Sequence, residues 1–188
     1  MTGLSGGALD DPAMLARTDR SGMIVQIAAI PAHLRDAWSR LPEADRLHPK
    51  VALAAARSFV RLGGDREAVE VLARSLDRQW DPALVAAFAD CHPADPSRQL
   101  ETAERWLTQH SDDATLLCAL GRLCERAQLW GKAQTYYEAS LALDDHWRSH
   151  VLLGNMLARL GREDEANAHL AAGLKLAIAE LGEPGHGR

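Results

Sequence analysis

The sequence predicts an all-α fold, a right-handed solenoid of stacked antiparallel helix pairs, and three observations carry the prediction. Alanine and leucine, 33 and 28 residues, make up about a third of the 188. The β-branched residues from which strands are built are scarce, with 7 Val, 4 Ile and 6 Thr, and aromatic residues are only 5%. The chain also repeats itself at a spacing of 33 residues, a period that marks stacked helical units. The second observation excludes a fold built on a sheet. A chain of this length forms one domain with a core that needs no staples.

In chain order, residues 1–22 open with a glycine-rich, aperiodic stretch and are expected to be disordered. Residues 23–182 form the repeat domain. Its first part, Met23 to Ile30, is a short apolar run stopped by Pro31 and too short to assign. His33 to Leu41 reads as a helix with Leu34, Trp38 and Leu41 on one face, ended by Pro42. Four units follow, near 49–79, 82–111, 114–145 and 147–179. Gly182, Pro184, Gly185 and Gly187 break any helix, so 183–188 is expected to be a flexible tail.

The repeat is clearest in the last two units. Leu116-Leu-Cys-Ala-Leu-Gly121 is followed by Trp130-Gly-Lys-Ala133 and Tyr137, and Val151-Leu-Leu-Gly154 by Asp164-Glu-Ala166 and Leu170. Gly121 and Gly154 are 33 residues apart, as are Ala133 and Ala166. An earlier unit has Ala56, Phe59, Gly63, Ala68 and Leu72 in the same order, and a looser one contains Ala103 and Leu107 after the loop Cys91–Pro96. Two helices that cross closely need a residue without bulk at the contact. Gly121 and Gly154 supply it opposite Ala133 and Ala166, and Ala56 opposite Ala68. Glycines in Gly63-Gly64-Asp65 and Gly161-Arg-Glu163 suit the left-handed helix cap. A period near 34 with paired helices is the tetratricopeptide pattern. A generic Ala/Leu bundle is the alternative, and it does not account for matched offsets in both glycine and alanine.

From Trp38 to about Leu176 the chain resembles the C-terminal repeat domain of HemY, a tetratricopeptide protein associated with bacterial haem biosynthesis. The resemblance is carried by Trp38-Ser-Arg-Leu-Pro42, Trp80-Asp81 with Leu84, Ala103-Glu-Arg-Trp-Leu107, Leu116 to Cys124, Leu129-Trp-Gly-Lys-Ala133 and Glu138-Ala-Ser-Leu141. It implies a membrane-anchored family whose repeat domain faces the cytoplasm, with a role in a late step of protohaem synthesis. The chain departs from that family in having no membrane segment: no run approaches ~18 apolar residues. It is therefore expected either as a repeat domain excised from an anchored protein or as a soluble relative, cytoplasmic in both cases.

Little in the sequence suggests catalysis. There is no phosphate loop, no His-Glu-x-x-His and no Cys-x-x-Cys. Cys91-His92 could in principle ligate haem or a metal, but a single pair lacks a full ligand set, and a loop cysteine beside a turn proline is the competing reading. His146 and His150, four residues apart, could share a helix face as two zinc ligands, yet no third is evident, and capping or surface roles compete. Three cysteines at no ligand-like spacing suit a reducing compartment, with Cys118 and Cys124 acting as small hydrophobes. The tryptophans read as packing anchors, with Trp130 kept as an interaction candidate. No catalytic residue, metal or cofactor is expected.

Charge is divided unequally. The first helices of the three clearest units, Pro49–Leu62, Ala114–Ala127 and Trp147–Leu160, carry Lys50, Arg57, Arg61, Arg122, Arg126, Arg148 and Arg159 against a single acid, Glu125. The second helices carry Asp65, Glu67, Glu70, Asp77, Glu138, Glu163, Asp164 and Glu165 against Arg66, Arg74, Lys132 and Lys175. First helices line the concave side of such a solenoid. A basic groove is thus expected within a chain of net charge −5, a charge that disfavours nucleic acid as a partner. The expected groove comprises Lys50, Arg57, Arg61, Arg122, Arg126, Arg148, Asn155 and Arg159. The competing reading is a solvated face that happens to be basic. The function expected is a non-enzymatic scaffold that holds an acidic segment or C-terminus of a partner protein, which the HemY resemblance suggests is a haem-pathway enzyme. The alternative is a porphyrin or haem carrier in which the arginines pair with propionates.

Overall fold

The computed structural model describes residues 32–182, and every described element is helical. The expectations for residues 1–22, for the run Met23–Ile30 and for the tail 183–188 lie outside the described residues. The helices are α1 Ala32–Arg40, α2 Glu43–Arg46, α3 Pro49–Arg61, α4 Asp65–Arg78, α5 Pro82–Asp90, α6 Pro96–Trp106, α7 Ala114–Arg126, α8 Trp130–Leu143, α9 Trp147–Arg159 and α10 Glu163–Gly182.

Their starts are written in the sequence. Proline occupies the first turn of α3, α5 and α6, where its missing N–H costs nothing. Asp81, Asp95 and Asp113 cap α5, α6 and α7 by accepting from the backbone N–H groups of Ala83, Arg98 and Leu116. The turns inside the three clear pairs place one residue in the left-handed region at the same repeat position. Gly63 and Gly161 both have φ of 75°, and Gln128 holds the equivalent place at 59°.

The pairs α3/α4, α7/α8 and α9/α10 pack closely, and α4 packs on α5 and α8 on α9 to stack one unit on the next. The second unit departs from the pattern. Its helices α5 and α6 each pack on α7, and α5 also on α3, without the close crossing of the other pairs. They are joined instead by the buried Gln99, whose amide donates to the carbonyls of Phe88 and Cys91, and by the rings of Phe88 and Trp106 at 4.9 Å.

The crossings correct one expectation. A Cβ built on Gly121 would lie 2.5 Å from the ring of Tyr137, so the close approach there is to Tyr137 rather than Ala133. A Cβ on Gly154 would meet Leu170 at 2.8 Å and the carbonyl of Ala166 at 3.1 Å. Tyr137 and Leu170 are repeat equivalents, so both glycines accommodate a large side chain of the second helix. Seven residues after Ala68, Ala133 and Ala166, the anchor alanines of the three close pairs, sits a second small residue. Ser75 and Ser140 donate to the carbonyls of Leu47 and Ala114, and Gly173 lies against Trp147 and His150. Each marks where a second helix passes the start of its own first helix. The core runs without a break from Ala52 to Ala166, with Leu72, Phe88, Leu116, Leu120, Leu123, Tyr137, Leu153 and Met156 fully enclosed.

Candidate protein-interaction groove

First helices α3, α5 and α9 contribute to one cleft of about 520 Å³. Its lining is built from small residues, Ala56, Ala83, Ala86 and Ala87, with Val60, so its surface is low. Arg57 and Arg61 stand one turn apart on α3 and so share a face. Arg148 enters from the start of α9, its guanidinium 5.6 Å from the ring of Trp147. All three are exposed, and none has a carboxylate partner among the described residues. Asp90 supplies the acid at the edge of the cleft, and it is engaged by Arg122 at 2.5 Å.

The remaining residues of the expected groove have other surroundings. Arg126 is turned inward, donating to the carbonyls of Ala89 at 2.9 Å and Cys91 at 2.8 Å and to Oε1 of Gln99 at 3.0 Å. Burial, and after it the neighbouring charge of Arg122, lowers its pKa. The cause is the early end of α5. Its last carbonyls have no helical partner, and a guanidinium fork satisfies them. Arg159 pairs with Glu125 and lies 5.6 Å from the ring of Trp130. Lys50 and Asn155 are exposed on α3 and α9 but do not line the cleft.

The three cysteines are free and buried. Cys91, although at the end of a helix beside a loop, is 1% exposed and donates its thiol to the carbonyl of Ala87. Burial, reinforced by Asp65 and Asp90, pushes its pKa up to about 12, so without a metal it stays a thiol at neutral pH. Burial also raises Cys118, and it raises Cys124 to about 11. Among the described residues no group of three or more His, Cys, Asp or Glu side chains could hold a metal. His146 caps α9 by accepting from the backbone N–H of Arg148.

Sequence reasoning did not find the partner of His150, which lies 2.9 Å from His169 of α10, Nδ1 to Nδ1. On its other side the Nε2 of His150 is 2.7 Å from Asp145. No described helix is long and apolar enough to cross a membrane.

Helix pairs of this length, stacked in one direction with small residues at each crossing, define the tetratricopeptide solenoid. No protein-family model matches the chain, and no curated protein matches it. Solved structures do. A thermophilic tetratricopeptide protein of Thermus thermophilus is similar over 90% of this chain and 89% of its own, with a TM-score of 0.61 and 18% identity. A crystal structure of MamA is similar over 90% and 95%, with a TM-score of 0.54 and 16% identity. MamA from Desulfovibrio magneticus RS-1, from residue 41 to its end, is similar over 92% and 98%, with a TM-score of 0.53 and 18% identity. At these identities the likeness is one of fold.

Proposed function

We propose that the chain is a protein-interaction scaffold whose basic cleft holds an acidic segment or C-terminal carboxylate of a partner protein. One observation carries this reading. Arg57, Arg61 and Arg148 come from two helices far apart in the sequence, converge on a single alanine-lined cleft and form no ion pair among the described residues, the one acid of the lining, Asp90, being paired with Arg122. Guanidinium groups placed this way engage carboxylates through paired, charge-assisted hydrogen bonds. The resemblance to HemY directs the search for the partner to enzymes of the haem pathway.

The test is binding of glutamate-rich and C-terminal peptides, with affinity capture from extract in parallel. Single changes Arg57→Ala, Arg61→Ala and Arg148→Ala should each weaken binding by about 1–3 kcal/mol, the range for hydrogen bonds to charged groups. Arg74→Ala and Lys175→Ala, outside the cleft, should change nothing. Unchanged capture by Arg57→Glu/Arg61→Glu would sink the reading. The same three arginines could pair with porphyrin propionates, which keeps the carrier as a second reading. A Soret shift that saturates at one haem per chain would favour it over the scaffold.

A further inference from the structure

The first and last described helices each leave an apolar surface uncovered among the described residues. Between units, a second helix packs on the first helix of the next, as α4 does on α5 and α8 on α9. The second-helix position eight residues after the anchor alanine shows what this contact does. Leu76 of α4 is 3% exposed, Leu141 of α8 is half-buried against the core, and Leu174 of α10 is 61% exposed. No following helix covers α10 among the described residues. It continues past its equivalents and exposes Ile178 and Leu181 as well, at 60% and 85%. Leu174, Ile178 and Leu181 recur at i, i+4 and i+7, the spacing of a helix seam.

The other end shows the complement. A cleft of about 340 Å³ between α1 and α3 is lined by Val51, Ala54, Ala55 and Ser58 together with Trp38, Leu41 and Phe59. The four small residues are the repeat equivalents of Ser149, Leu152, Leu153 and Met156 in α9, the helix that receives α8. Ser149 and Met156 are buried and Ser149 is in contact with Ser140 of α8, whereas Ser58 is half-buried and Ala54 exposed. The lining of the α1/α3 cleft carries no charge that would oppose an apolar stripe. Continuity with the inter-unit contact thus names the occupant. We propose that a second copy of this chain docks head to tail, the Leu174–Ile178–Leu181 stripe of one copy seating in the α1/α3 cleft of the next, so that the solenoid continues from chain to chain. The contact joins two different surfaces and does not close on itself.

Sedimentation of the full chain over a range of concentrations tests this. The weight-average mass should rise from 20.5 kDa past twice that value without stopping at the dimer. Leu174→Glu/Ile178→Glu and, separately, Ala54→Arg should each weaken association at least tenfold while helical circular dichroism stays unchanged. All three positions are exposed, so the fold tolerates them. Mixed together, the two variants should form a dimer and nothing larger, because each retains the half that the other lacks. Three results would each overturn the proposal: a wild type that stays monomeric, as it would if residues 23–30 filled the cleft from within; a wild type that stops at two copies, as it would if α10 paired with its own twin; or a mixture of variants that remains monomeric.

Discussion

Gly121 and Gly131 are ten residues apart and have opposite needs. A methyl group at Gly121 runs into the enclosed ring of Tyr137, whose hydroxyl is tied to Glu125, while one at Gly131 meets nothing within 4 Å. Alanine favours a helix interior over glycine by about 0.5–1 kcal/mol, in full at Gly121 and in part at Gly131, in the first turn of α8. Gly131→Ala should therefore be neutral or stabilising in urea unfolding. Gly121→Ala should be destabilising, and Gly154→Leu should cost about 1–3 kcal/mol through overpacking. Gln128 presents the reverse case, a side chain in the left-handed turn where the equivalent units have glycine. Gln128→Gly should raise the unfolding midpoint. Arg126 belongs at this scale too, because it satisfies three acceptors at once. Arg126→Met should cost about 2–3 kcal/mol, since hydrogen bonds to a charged donor are lost and buried carbonyls are left unpaired. Arg126→Lys should not rescue it, as an ammonium cannot match a planar fork.

Among the elements, α10 responds to pH. His169 faces His150, with Glu138 of α8, Glu165 on its own helix and Asp145 before α9 nearby. Burial first, and the His150 ring second, lower the pKa of His169 below the ordinary histidine value despite Glu138 and Glu165. The unfolded chain then binds the proton more tightly than the folded one, so the stability tied to His169 is present above about pH 6.5 and is lost as the pH falls through and below it. Amide exchange in 163–182 should accelerate between about pH 7.5 and 5 relative to α7, and His169→Gln should flatten that difference. The helices themselves were legible because apolar periodicity, capping aspartates and first-turn prolines agree. Both ends of α3, α7 and α9 fall within a residue of the expected boundaries. The single turn α2 was not legible, because it buries nothing and so leaves no pattern. α10 starts where the repeat places a second helix but outruns its equivalents, because Ala177, Ala179 and Leu181 sustain a helix that nothing covers among the described residues. The charge asymmetry marked the basic face, but not the direction of each arginine. That depends on how early α5 ends, which only the packed structure reveals.

At the level of the whole molecule, a solenoid is held by neighbours alone, and its stability is graded along the chain. The enclosed side chains of α7 and α8 should have the slowest amide exchange and α1 and α2 the fastest. A flat protection profile would show that the units unfold together. The three buried thiols give the gradient a chemical readout. Cys91 closes α5 of the second unit, and Cys118 and Cys124 lie in the third; Cys91 and Cys124, at 1% and 0% exposed, meet solvent only when their own unit opens, whereas Cys118 at 8% already borders a surface cleft. Under an excess of iodoacetamide Cys91 and Cys124 should therefore be alkylated at the opening rate of their surroundings rather than at their intrinsic rate. Mass spectrometry of the tagged peptides would then time the openings of the second and third units separately without an introduced probe, with Cys91, nearest the loosely paired helices, modified before Cys124.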